Sequence, residues 1–80
     1  MERYKYKCKK NFNKFISSTI FIFKKDEWYL GYRDEDIMVI AHSHEHYINT
    51  PHWRFDEDDF RKKFYTVDEV REMEINKILN

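Results

Sequence analysis

Residues 18 to 41, "STIFIFKKDEWYLGYRDEDIMVIA", decide the fold. Three apolar runs stand in this stretch: Ser18 to Phe23, Trp28 to Arg33, and Ile37 to Ala41. They are rich in β-branched and aromatic residues, which suit a pleated, half-buried surface. Two short charged clusters part them, "KKDE" at 24–27 and "DED" at 34–36. Short runs with tight polar breaks predict antiparallel strands in a meander. Gly31, in the middle of its run, predicts a bulge or a tight bend that lets a small sheet curl into a barrel.

Working outward, "ERYKYKCKK" alternates. Tyr4, Tyr6 and Cys8 share one face, and Arg3, Lys5, Lys7 and Lys9 share the other, as in a half-buried strand. "NFNKFIS" at 11–17 breaks the pattern at Asn11 and Asn13 and reads as a loop. Downstream, "AHSHEHYINTPHW" at 41–53 reads as a hairpin leading into a further short strand, "HWRF". A turn at Ser43-His44 sets Ala41 against His46, Ile40 against Tyr47 and Val39 against Ile48, so that apolar meets apolar. The other register turns at Thr50-Pro51 and sets Ile48 against Trp53.

Two helices follow. In "FDEDDFRKKF" Asp56 is a natural N-cap, with Glu57, Asp58 and Asp59 in the first turn and Arg61, Lys62 and Lys63 in the last. Acids at the start and bases at the end complement the helix dipole. Phe60 and Phe64 fall on one face. Thr66 and Glu69 form a capping box, opening a helix from Val67 to Leu79. Its apolar residues Val67, Val70, Met73, Ile75, Ile78 and Leu79 spread over more than one stripe, so the helix presents apolar surface on several sides.

Eighty residues make one domain, 1–80: a barrel body over 1–65 and a helical appendage over 66–80. The class is mainly β (α+β), a small antiparallel five-stranded barrel with a short acidic-start helix and a C-terminal helix. Aromatic residues make up 19% of the chain, a load that supplies much burial to a domain with little interior. The net charge is zero, but it is unevenly spread. Residues 1–25 hold eight Lys/Arg and one acid, and residues 26–80 hold seven Lys/Arg and fourteen acids. The whole chain is therefore not a basic, nucleic-acid-binding composition. A single cysteine, Cys8, excludes a disulfide framework and a multi-cysteine zinc site. The charged start and the lack of a long apolar run predict a cytoplasmic protein without leader or membrane helix.

All four histidines, His42, His44, His46 and His52, lie in one segment. Imidazoles two residues apart on a strand are ~6.6 Å from each other and can lean onto one ion. Three in a row converge only if the strand bends, and the predicted turn disperses them. Clustered imidazoles also form a pH-sensitive tip. Nucleophilic catalysis has no support, because no serine has an elbow motif and Cys8 faces inward. One glycine rules out a glycine-rich phosphate loop. No cofactor is expected.

"KYKCKKNF" (5–12), "FKKDEWY" (23–29), "IMVI" (37–40) and "FDEDDFRKKF" (55–64) together resemble a group of very short proteins of phages and prophages of low-GC Gram-positive bacteria. Members open with K-Y-x-C-x-K-x-F and close on an acidic stretch followed by phenylalanines. Asp26 stands where the group has a turn glycine, the histidine segment is longer than the group's turn, and the helix after Thr66 is an addition. The resemblance implies a Src-homology-type small barrel. It also implies a non-catalytic accessory protein that binds and modulates a host protein in the bacterial cytoplasm, as an anti-defence (anti-CRISPR-like) inhibitor does. The expected contact residues are Trp28, Tyr47, Trp53, Asp56, Glu57, Asp58, Asp59 and Met73, with a homodimer through the C-terminal helix as a further partner. The alternative is a nucleic-acid surface of Lys5, Lys7, Lys9, Lys10 and Lys14. The third reading is a metal site at His42, His44, His46 and His52.

Overall fold

The computed structural model describes residues 4–44 and 49–79. The protein is mainly β, with two helices. Its elements are β1 (Tyr4–Cys8), β2 (Phe12–Ile16), β3 (Thr19–Phe23), β4 (Trp28–Asp34), β5 (Ile37–Ala41), β6 (His52–Asp56), α1 (Glu57–Lys63), β7 (Phe64–Tyr65) and α2 (Val67–Leu79). Five strands form one antiparallel sheet in the order β6-β5-β4-β1-β7, which curls into a half-barrel. β2 and β3 form a separate two-stranded ribbon. Rings at the base of that ribbon reach the sheet's core residues: Phe12 stacks on Phe23 at 4.8 Å, and Phe23 meets Tyr29 at 4.7 Å and Trp53 at 5.7 Å.

The core is largely aromatic. Tyr6, Cys8, Phe23, Tyr29, Met38, Ile40, Phe55, Phe60 and Phe64 form one buried cluster, with Phe12 and Trp53 packed against it. Each fully buried ring or aliphatic chain contributes roughly 1.5–3 kcal/mol from area alone. Phe60 and Phe64, four residues apart, both turn inward and stack at 5.7 Å. The short α1 is thereby pinned to the sheet.

Several details differ from the sequence reading. The stretch at 11–17 is largely strand β2, not loop. Asn13 sits on the outer face of the ribbon, and Asn11 Oδ1 accepts from the Lys25 N–H at 2.8 Å, tying the ribbon's two ends together. Ser18–Phe23 therefore pairs with β2 instead of joining the curled sheet, and the fifth sheet strand is the short β7. The partners expected of β5 across a Ser43-His44 turn, His46, Tyr47 and Ile48, lie outside the described residues. β5 lies between β4 and β6, with Ala41 opposite His52 and Ile40 opposite Trp53. Both edges of β5 are thus taken, by β4 and β6. Both ladders of β4 meet at Gly31: β1 pairs with Trp28–Gly31 and β5 with Gly31–Asp34, so pairing passes from one neighbour to the other at this residue. The glycine is there for room: a Cβ would lie 2.6 Å from Ile40 Cδ1 and 2.8 Å from the Val39 carbonyl oxygen.

Candidate interaction surface

The ribbon turns at Ser17-Ser18, with Ser17 at φ 55°, the left-handed region that two-residue hairpin turns use. Side chains then alternate. Phe12, Lys14, Phe21 and Phe23 face the sheet, and Asn13, Phe15, Ile20 and Ile22 face away. The inner face is anchored: Lys14 Nζ lies 4.9 Å from the Phe55 ring centre, and Phe21 meets Trp53 at 5.3 Å. The outer face is not covered. Phe15 is 60% exposed, Ile20 56% and Ile22 50%, with Phe15 directly opposite Ile20. Three large apolar side chains side by side on one exposed face form a contiguous patch.

A second apolar surface lies on α2. Val70 is its buried anchor, and Met73, Ile75 and Ile78 are exposed. The capping box forms as predicted: Thr66 N–H donates to Glu69 Oε1 at 3.0 Å, and Glu69 N–H donates to Thr66 Oγ1 at 3.2 Å. The helix rests on the body against β1, with Val70 as its buried residue.

The predicted contact residues are scattered. Trp28 is half-buried on the outer face of β4, with Lys7 Nζ 6.0 Å from its ring. Trp53 is half-buried, packed against the core and against Phe21 on the ribbon's inner face. Asp56 caps α1 by accepting from the Asp59 N–H at 2.8 Å. Glu57 bonds Arg33 at 2.9 Å and Arg61 at 3.2 Å, and Asp59 bonds Lys63 at 2.8 Å. The acidic run is therefore largely occupied with its own helix and with Arg33, leaving Asp58 exposed. Met73 lies on the exposed part of α2, and Tyr47 lies outside the described residues.

The lysines divide similarly. Lys9 donates to the Arg61 carbonyl and lies 4.4 Å from the Tyr65 ring centre. Lys7 and Lys14 sit over rings, whereas Lys5 and Lys10 are exposed.

The histidines have separate tasks. His42 Nε2–H donates to the Ile22 carbonyl at 2.8 Å, and its ring meets Phe23 edge-on at 5.0 Å. His44 bridges the Trp28 carbonyl, through Nδ1, and the Glu27 carboxylate, at 3.1 Å from Nε2. His52 contacts the Thr50 carbonyl at 3.1 Å. Among the described residues no group of three His, Cys, Asp or Glu side chains is placed to hold a metal ion; His46 lies outside them.

Electrostatic shifts follow burial. Desolvation pushes the Cys8 thiol and the Tyr6 and Tyr29 hydroxyls upward. The Arg33 guanidinium, with help from Arg61, holds Glu57 below the usual carboxylate range. No helix is long and apolar enough to cross a membrane among the described residues.

No protein-family model, curated protein or solved structure matches the chain. The surface therefore rests on its own chemistry. The sequence reading missed the ribbon's outer face, although a signal was present: "TIFIF" is apolar at both parities, and an 80-residue domain has no second core to bury the other side.

Proposed function

We propose that the protein is a non-catalytic accessory protein that acts by binding another protein. The observation that carries this is the exposed Phe15–Ile20–Ile22 face on a two-stranded ribbon. Such a ribbon is marginal by itself, and apolar side chains in contact with water gain from being covered. Burying an Ile or Phe stabilises by roughly 1.5–3 kcal/mol, so three of them make an energetic centre for an interface. The exposed helix residues Met73, Ile75 and Ile78 offer a second contact or a homodimer contact.

The resemblance to phage proteins supplies the setting: a host protein in a bacterial cytoplasm as the target, and inhibition of a defence nuclease as the finer reading. The nucleic-acid alternative draws less support, because Lys7, Lys9 and Lys14 are engaged with rings or a carbonyl.

Quantitative affinity capture from host lysate tests the reading. Wild-type protein should retain a specific host protein. The Phe15→Asp/Ile20→Lys double variant, checked for an unchanged circular dichroism spectrum, should lose at least nine-tenths of it. Undiminished capture by the double variant would remove the hairpin from the account.

A further inference from the structure

The hydrogen-bond phase of the ribbon says what form its partner takes. A two-residue turn makes Ile16 and Thr19 a hydrogen-bonded pair, and the pairs alternate from there. Phe15–Ile20 and Asn13–Ile22 are then the non-hydrogen-bonded pairs. Their backbone N–H and C=O groups point away from the ribbon along its two edges. One contact checks this phase independently: the Ile22 carbonyl receives His42 Nε2–H at 2.8 Å from outside the ribbon. That bond occupies the β3 edge at Ile22. On the β2 edge, among the described residues, no hydrogen bond reaches the outward backbone groups of Asn13 or Phe15.

Charge narrows the partner further. Residues 9–25 hold five lysines and no acid. Lys10, Lys24 and Lys25 are exposed at the base of the ribbon. Nearby acids are directed elsewhere: Asp26 lines a cleft with Lys7 and Lys77, and Asp59 is bound to Lys63 at 2.8 Å. Two such hairpins would repel each other, which disfavours a second copy. The tip Ser17-Ser18-Thr19 is polar, and an open strand edge is costly in hydrocarbon, which disfavours a bilayer.

We propose that the β2 edge accepts, by strand addition, an extended acidic segment of a partner protein whose apolar side chains continue the Phe15–Ile20–Ile22 face. This rests on the protein-binding reading above and names the partner's chemistry. The backbone of Asn13 and Phe15 supplies the hydrogen bonds, and the side chain beside Phe15 supplies apolar contact. Lys10, Lys24 and Lys25 attract the segment's flanking acids. A third strand turns the marginal ribbon into a sheet with a covered apolar row.

The test titrates isotope-labelled full-length protein with three probes followed by NMR: the peptide EEVTITVEE, its cationic counterpart KKVTITVKK, and phosphatidylglycerol vesicles. The acidic peptide should shift the Asn13 and Phe15 amides and slow their exchange at least tenfold, and the cationic peptide should bind at least tenfold more weakly. Vesicles should leave the spectrum unchanged. Phe15→Pro deletes one outward N–H without touching the β2–β3 ladder and should abolish the shifts. Should that variant unfold, the Lys10→Glu/Lys24→Glu/Lys25→Glu variant decides by inverting the peptide preference. Equal binding of both peptides, shifts centred away from β2, or line broadening by vesicles overturns strand addition. If the peptide arm fails while Phe15→Asp/Ile20→Lys still loses host-protein capture, only strand addition falls; if capture also persists, the hairpin reading falls with it.

Discussion

Single residues set the tolerances of this fold. Gly31 faces Ile40 across one strand pair and Tyr4 across the other, and a Cβ there would also lie 3.0 Å from the Tyr6 ring. The Val39 carbonyl at 2.8 Å belongs to a paired backbone and cannot step aside cheaply. Gly31→Ala should therefore cost about 1–3 kcal/mol by overpacking, read as a lower urea midpoint with an unchanged slope. Cys8, fully buried, and Tyr6 and Tyr29 share another property: burial raises their pKa values above the unfolded ones. The folded state holds them neutral. Their contribution to stability is fully present below the unfolded values, about 8.5 for a thiol and about 10 for a phenol, and is lost as pH rises past them toward the raised folded values. Thermal melts should thus show a falling Tm above about pH 8.5. A Tm unchanged up to pH 11 would count against the buried placement of these groups.

At the scale of elements, most of the architecture was legible, and the exceptions have physical causes. α2 has the predicted start because a capping box is a local signal. α1 was legible for the same reason, through Asp56 and the acid-to-base order after it. Asp56→Ala should remove the cap on the Asp59 N–H and cost about 1 kcal/mol, measured by chemical denaturation, while Asp58→Ala, at an exposed site, should stay within about 0.5 kcal/mol. The failures lie where distant pairing decides. β2 looked like a loop because its asparagines break the alternation, yet Asn13 is solvent-facing and Phe12 gains a stacking partner eleven residues away in Phe23. The pairing of β5 with β6 was not anticipated, because a short hairpin with apolar pairs looked sufficient by itself. What it lacked was the aromatic layer: Ile40 opposite Trp53 lets that ring meet Phe21 and Phe23 of the ribbon. The histidines, likewise, looked chemical in the chain and serve as backbone tethers at His42 and His44.

For the whole molecule, the uneven charge takes on a spatial meaning. The lysines of residues 9–25 surround an apolar ribbon, while many acids of the later half sit on the two helices. The molecule extends 46 Å along its longest axis and 25–26 Å along the others, so it presents distinct ends rather than a uniform surface. Ribbon and helix are both secured at one end by buried residues, Phe23 and Val70, and expose apolar side chains beyond them. The central claim is that the ribbon's outer face is the working surface. Hydrogen exchange, measured on the chain alone and bound to the host protein it captures, tests that most directly. Slowed exchange concentrated in residues 12–23, with Lys5 to Lys9 unchanged, is the predicted result. Protection that spares the ribbon and falls instead on β1 or α2 would contradict it.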